Sequence, residues 1–367
     1  MSVGDIITYV MLFFALIGAA DRAIGCRFGP GKAFEKGLEA SGALILAMVG
    51  PVALAPMIAA YLAPLVTPFF RSVGIDPSII AGLLMANDSG GWPLALALAD
   101  DAAVGRLTGS VMGSTMGCAI MFSIPMTFIL TPENKRPAAA KGLAIGLTTI
   151  PAVNLISGLM FGIPLIRLLL NLLPLILFAG LFIIGLLLFE PFTVKAVTVL
   201  GYIMTAVLTI ALAAAMVVKV LGLKIDNFGS FDDAMLIIGS IVIFLSGAFT
   251  ILAILEKHCG RLFDRIGAAM GMDKTSVLGL LTSTVNAIPM FSMTKDMNDR
   301  GVTVNMAYLI PAAFIAGDHL AFQLSVDVSA VLPFIIGKAA GGAAAIAIAM
   351  VMTRDRKNAN KDEKTEN

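Results

Sequence analysis

Nine stretches of this chain are apolar for about 20 residues or more, the length a helix needs to cross the hydrocarbon core of a bilayer. They are 4–24, 39–69, 107–130, 138–161, 164–189, 194–218, 233–256, 302–326 and 330–352. Composition agrees with that pattern. Of 367 residues, 58% are hydrophobic and 13% charged, against about 45–50% and about 25% in soluble domains. The expected class is an all-α polytopic membrane protein, which speaks against a soluble enzyme, a disordered chain or a nucleic-acid binder. The net charge is +1, with no basic stripe of the kind that tracks phosphates. Two His and three Cys (Cys26, Cys118, Cys259) are scattered without metal-ligand or disulfide-framework spacing. No metal and no cofactor is expected. Asp5, and no Lys or Arg, precedes the first apolar run, unlike the basic start of a cleaved signal peptide.

Two further segments are apolar at both ends and polar in the middle. In 77–99 the interruption is Asn87-Asp88-Ser89-Gly90-Gly91-Trp92-Pro93, and in 274–296 it is Thr282-Ser283-Thr284-Val285-Asn286-Ala287-Ile288-Pro289. Gly and Pro are poor helix residues. Irregular backbone at membrane depth persists only where protein or a water-filled cavity surrounds it. These segments are expected to form re-entrant or discontinuous helical hairpins.

The chain also resembles itself. At a shift of 197 residues Gly25, Gly42, Gly50, Gly74 and Gly82 fall on Gly222, Gly239, Gly247, Gly271 and Gly279, and Asp76 falls on Asp273. The two broken segments correspond in this alignment, as they do in transporter repeats. Charge then chooses the topology. With both hairpins re-entrant and the N-terminus outside, 19 Lys and Arg lie inside and 5 outside, with Lys338 within a span. With both segments crossing fully, the split is 15 to 9. The re-entrant arrangement places five crossings between the repeat starts, so the repeats are inverted. The alternative is 11 full spans with parallel repeats. The expected organisation is a first repeat over 1–170, a connecting segment over 171–195, a second repeat over 196–352 and a disordered cytoplasmic tail over 353–367.

Intramembrane charge marks the candidate site. Asp88 sits within the first hairpin, flanked by Asn87 and Ser89, with Trp92, the single Trp, four residues on. A carboxylate beside an aromatic face suits an alkylammonium ligand through charge pairing and cation–π attraction. Asp88 as a helix cap and Trp92 as an interfacial anchor are the structural readings. The second hairpin offers Ser283, Thr284 and Asn286 to a hydroxyl or amine, or to its own freed backbone. Asp318 interrupts span 302–326, either to meet ligand or to pair with Lys338. His319 is read as a proton shuttle or as bonded to a helix carbonyl. Ser114 lies on a stripe of small residues that lets helices approach closely and is a candidate cavity residue.

Several short stretches carry a resemblance. They are Asp88, Gly90 and Gly91; Met48-Val49-Gly50 with Ala53-Leu54-Ala55-Pro56; Phe122-Ser123-Ile124-Pro125; Thr149-Ile150-Pro151; Asn286 through Met290-Phe291; Lys295-Asp296-Met297; Arg300-Gly301; and His319-Leu320. In order and spacing, over nearly the whole chain, it resembles the ethanolamine-utilisation permease family, EutH. The resemblance implies a multi-pass protein of the cytoplasmic membrane that admits ethanolamine for catabolism. Facilitated diffusion through an alternating-access site is the expected mode, with an ion-coupled (H+ or Na+) transporter or a channel as the alternative, and a sensor or membrane enzyme behind both. The expected partners are ethanolamine, membrane lipid and a second copy of the chain, and not nucleic acid.

Overall fold

The computed structural model describes residues 3–353, so the tail beyond Thr353 lies outside the described residues. Every regular element among them is helical. Helices α1 (Val3–Ala23) and α2 (Pro30–Ser72) lead into a short helical pair, α3 (Ile79–Leu84) and α4 (Trp92–Leu98). Next, α5 (Ala102–Leu107) winds through π-helical turns at Thr108–Gly117 and Ala119–Ser123 into α6 (Ile124–Leu130). Helices α7 (Arg136–Met160), α8 (Leu165–Leu188), α9 (Glu190–Leu221) and α10 (Phe231–His258) follow. The short α11 (Gly260–Met270) precedes a second pair, α12 (Lys274–Val285) and α13 (Ala287–Met293). The chain then forms α14 (Asp299–Ala312), α15 (Asp318–Val326) and α16 (Val331–Met352).

Among the described residues, eight helical stretches are long and apolar enough to cross a membrane. The remaining expected span, 302–326, is divided, because α14 stops at Ala312 and the chain leaves helical geometry until Asp318. Pro311 supplies no backbone donor next to the break, and Phe314 adopts a left-handed φ of 60°.

A single carboxylate ties the two ends of each broken segment together. Buried Asp76 accepts the Ser78 N–H on Oδ1 (2.9 Å), and the Asp100 and Asp101 N–H groups on Oδ2 (3.1 and 2.9 Å). Its own N–H donates to Asn171 Oδ1 on α8 at 2.7 Å. Asp273 accepts the Ser276 N–H on Oδ1 (2.8 Å), and the Ser276 hydroxyl and Asn298 N–H on Oδ2 (3.0 and 2.7 Å). Residue 76 therefore meets 100–101, and 273 meets 298, so the two ends of each broken segment lie close together. Asp101 and Asn298 in turn cap α5 and α14 with their side chains.

Contacts recur at the same 197-residue shift. A Cβ on Gly50 would strike the Leu208 carbonyl, and one on Gly247 would strike the Met11 carbonyl. Both residues of the first contact are 197 positions from a residue of the second. Gly82 likewise faces Thr108, and Gly279 faces Asn305. Thus α2 packs on α9 and α10 packs on α1, while α2 and α10 pack on each other. Two ion pairs fix the course of the interrupted spans. Arg106, in α5, meets Asp327, just after α15, at 2.6 Å. Lys135, just after α6, meets Asp299, at the start of α14, at 2.7 Å. The stretches 102–130 and 299–326 therefore run antiparallel.

The carboxylate clips generate a stability prediction. Asp76→Ala strands buried backbone donors, each worth about 1–3 kcal/mol, so a loss of about 2–4 kcal/mol is expected. At Asp273 burial opposes ionisation, but the donors from Asn298 and Ser276 outweigh it and hold the carboxyl below its ordinary 3.8. Its contribution is complete above that value and is lost as the pH falls through the lower native value. Thermal unfolding of wild type and Asp273→Asn should differ at neutral pH and converge in acid. A difference that persists at low pH would show that the clip does not act through the ionised carboxylate.

Candidate functional site

The site is built where helices stop. In a continuous helix the carbonyls of Ser283 and Thr284 would accept from residues 287 and 288. Asn286 is extended (φ −148°, ψ 126°), so those donors are carried away. Asn286 Oδ1 takes the Ile288 N–H at 2.9 Å and caps α13. The two stranded carbonyls accept instead from the break after α14, Ser283 from Phe314 N–H (2.9 Å) and Thr284 from Ala316 N–H (2.8 Å). Gly317 lies so close to the Val285 carbonyl that a Cβ there would overlap it. The tip of the second hairpin and the gap in the interrupted span thus satisfy each other's backbone.

The first tip uses other means. Met85 and Ala86 are extended, and Asn87–Gly91 forms one wide turn containing Gly90 at φ 94°. A Cβ on Gly90 would lie 2.8 Å from Cβ of Pro51 on α2. On the other side, Gly113 approaches the Asn87 backbone and Gly117 the Met85 carbonyl, because neither carries a side chain. The π-helical register around them shifts one bond, so that Cys118 N–H reaches Gly113 O. Ser114 O, its partner in an α-helix, accepts instead from Lys338 Nζ on α16 at 2.8 Å.

These breaks gather charge. Asp88 is buried, accepts the Ser89 hydroxyl on Oδ1 (3.1 Å), and has Oδ2 4.0 Å from His319 Nε2. Asp318 opens α15 beside His319. Lys338 is fully buried, with its ammonium 5.3 Å from the centroid of the Phe334 ring. Ser114, which holds Lys338, follows Gly113 against the Asn87 backbone, next to Asp88, and His319, beside Asp318, faces Asp88. Several polar atoms here have no hydrogen-bond partner among the described residues: both side-chain polar atoms of Asn87, Asp318 Oδ1 and His319 Nδ1. An unpartnered buried polar group is costly, and several of them stand together here near two carboxyl groups. Aromatic faces border it. Phe314 lies 4.7 Å from the His319 ring and 5.6 Å from Phe122, which is 6.1 Å from Phe291 (centroid distances).

Of the residues singled out in the sequence, Asn87, Asp88, Ser89 and Asp318 belong to this region, and Ser114 contributes its carbonyl. The Ser114 hydroxyl donates to Val111 O. Ser283 and Thr284 lie at the junction, but their hydroxyls donate back to Leu280 O and Leu281 O. Trp92 is buried against Gly109. Lys338 bonds a backbone carbonyl instead of forming an ion pair with Asp318. His319 turns towards Asp88 instead of a helix carbonyl. Phe314 carries no sequence signal of its own beyond its nearness to Pro311.

Residues 3–352 match the family described as "Ethanolamine utilisation protein, EutH". A protein of Listeria monocytogenes named "Probable ethanolamine permease EutH" is 37% identical over 362 residues, covering 98% of this chain and 97% of the relative. A Bacillus subtilis protein named "Uncharacterized protein YxeR" is 36% identical, with 96% of each chain covered. A protein of Escherichia coli K12, also named "Probable ethanolamine permease EutH", is 34% identical, again with 96% of each covered. No solved structure matches the chain.

Two buried asparagines separate a ligand-ready amide from a structural one. Asn171 is fully engaged, accepting from Asp76 N–H and donating to Arg167 O, whereas Asn87 has neither bond. Asn171→Ala is expected to cost about 1–3 kcal/mol, and Asn87→Ala to leave stability unchanged or raise it. Thermal unfolding in detergent measures both. A large loss at Asn87 would mean that its amide is a structural bond.

Proposed function

The chain belongs to the ethanolamine utilisation protein EutH family, and on that premise we propose that this membrane transporter carries ethanolamine across the cell membrane as the ammonium cation. The observation that carries the reading is the meeting of Asp88 with His319, which follows Asp318 at the start of α15, beside the unpartnered Asn87, between a hairpin tip and a helix break. Ethanolamine brings one ammonium and one hydroxyl. The ammonium offers donors to a carboxylate, and a charge-assisted bond is about twice as strong as a neutral one. The hydroxyl both donates and accepts, which suits the Asn87 amide and the free His319 nitrogen. The rings of Phe314 and Phe122 give the methylenes and the cation an apolar, π-rich wall.

Facilitated diffusion is the proposed mode. An inside-negative potential favours a monovalent cation by about 2.3 kcal/mol per 100 mV, so removal of ethanolamine inside suffices to keep the flux inward. Alternating access about the midplane is supported by three features: clipped hairpins, contacts that recur at one shift, and interrupted spans that run antiparallel. In this reading the hairpins are re-entrant and the repeats inverted. The presence of a second carboxylate, Asp318, favours one further reading, symport with a proton or sodium ion.

The test is uptake of labelled ethanolamine into proteoliposomes under a potassium-set potential, with no proton or sodium gradient. Saturable uptake driven by an inside-negative potential is expected, and Asp88→Asn should abolish it while eluting as folded protein. Uptake that appears only with an imposed ion gradient would establish symport. Undiminished uptake by Asp88→Asn would remove this carboxylate from the site.

A further inference from the structure

The charge count at the site has one member that the transport reading leaves unused. Lys338 is fully buried, and its ammonium is held by a backbone carbonyl, Ser114 O, made available by the π-helical register of residues 108–117. A buried lysine ordinarily discharges its cost in a close ion pair. Lys338 has none among the described residues, although the carbonyl that holds it belongs to Ser114, which lies beside the hairpin tip carrying Asp88, and His319, next to Asp318, faces that carboxylate. The tether holds the Lys338 amine beside the hairpin tip that carries Asp88 without letting it pair with either carboxyl group. Asp318 Oδ1 and the side chain of Asn87 accordingly remain free of protein partners.

We propose that Lys338 sets the valence of the site, so that two carboxylates and one tethered ammonium leave a single negative charge for a single monovalent ammonium guest. This inference rests on the transport reading above and adds the basis of its selectivity. A dication of the same size would meet the Lys338 charge uncompensated. With Lys338 replaced by an uncharged side chain, the site carries a second unbalanced carboxylate and favours the dication. The tether matters as much as the charge. Ser114 O is a fixed backbone acceptor, so the ammonium stays back from the carboxylates and does not compete with the guest. Arginine keeps the charge and can donate to the same carbonyl; methionine has similar length and no charge.

The discriminating probe is 1,2-diaminoethane, which replaces the hydroxyl of ethanolamine with a second ammonium and changes little else. Unlabelled diamine and unlabelled ethanolamine would each compete with labelled ethanolamine for uptake into proteoliposomes, at a pH that keeps both nitrogens of the diamine charged. The readout is the ratio of their half-inhibitory concentrations. A ratio does not depend on how much protein is folded or reconstituted, so partial loss of Lys338→Met protein leaves it interpretable. Wild type and Lys338→Arg are expected to disfavour the diamine. In Lys338→Met the ratio should move towards the diamine by about tenfold or more, the scale of one unit charge removed from a water-poor site. A ratio unchanged in Lys338→Met, or moved equally in Lys338→Arg, would overturn the valence role while wild-type uptake upheld the transport reading. Wild-type protein that takes up no ethanolamine would overturn both.

Discussion

Backbone polarity at membrane depth is the constraint on which the rest of this structure depends. Lipid offers nothing to an N–H or C=O group, so a helix can be interrupted there only if another part of the protein completes its hydrogen bonds. The chain interrupts helices in several places and satisfies them pairwise. Ser283 and Thr284 lend their carbonyls to Phe314 and Ala316. Ser114 lends its carbonyl to Lys338. Glycines at 113, 117 and 317 remove the side chains that would hold these backbones apart. Each interruption fixes the position of another, so the breaks form one assembled unit. The polar side chains near them are held where a continuous helix would not place them.

That unit explains why charge is tolerated here. Asp88, Asp318, His319 and Lys338 would each be expensive on a lipid-facing helix. Collected in one protein-lined place, they are kept from lipid. The sites of tightest packing and of unsatisfied polarity are neighbours, and they divide the work. Gly90 against Pro51 and the Ser283–Phe314 bond hold the walls, while Asn87, Asp318 and His319 keep polar atoms without a hydrogen-bond partner among the described residues.

The two broken segments were legible in the sequence because Asn and Pro, with Gly in the first and Ser and Thr in the second, interrupt apolar runs, and because Asp76 and Asp273 fall 197 residues apart. The break at 313–317 was not. Ala313-Phe314-Ile315-Ala316-Gly317 reads as apolar helix, and only the hydrogen bonds from 283 and 284, distant in sequence, make leaving the helix worthwhile. The same limit applies to side chains. Asp88 and Asp318 announce themselves, since a carboxylate inside a span needs a reason. Asn286 looked equally available, yet local geometry commits it to capping α13. Trp92 is near Asp88 in sequence, but the helical turn between them sends the ring onto Gly109. Lys338 invited pairing with Asp318, and no local rule reveals that a π-helical register 220 or so residues earlier would free a carbonyl for it (Ser114 to Lys338, |i−j| = 224). Local rules identify what a segment can spare, whereas which residue receives it is a tertiary fact.

The distribution of charge between the two halves carries the argument one step further. The scaffold recurs at a shift of 197 residues, but its chemistry does not. The first half supplies a carboxylate on its hairpin, Asp88, and small residues on its interrupted span. The second half supplies neutral groups on its hairpin and charges on its interrupted span and last helix: Asp318, His319 and Lys338. The close contacts join unlike halves, Asp88 to His319 and Ser114 to Lys338. A site made of two such complementary parts exists only while the halves are in register. Any motion of one half against the other must change the Asp88–His319 and Ser114–Lys338 contacts. On the proposed reading, the affinity of the site for a cation is thereby coupled to the conformation of the protein, the property that a carrier needs and a fixed pore does not.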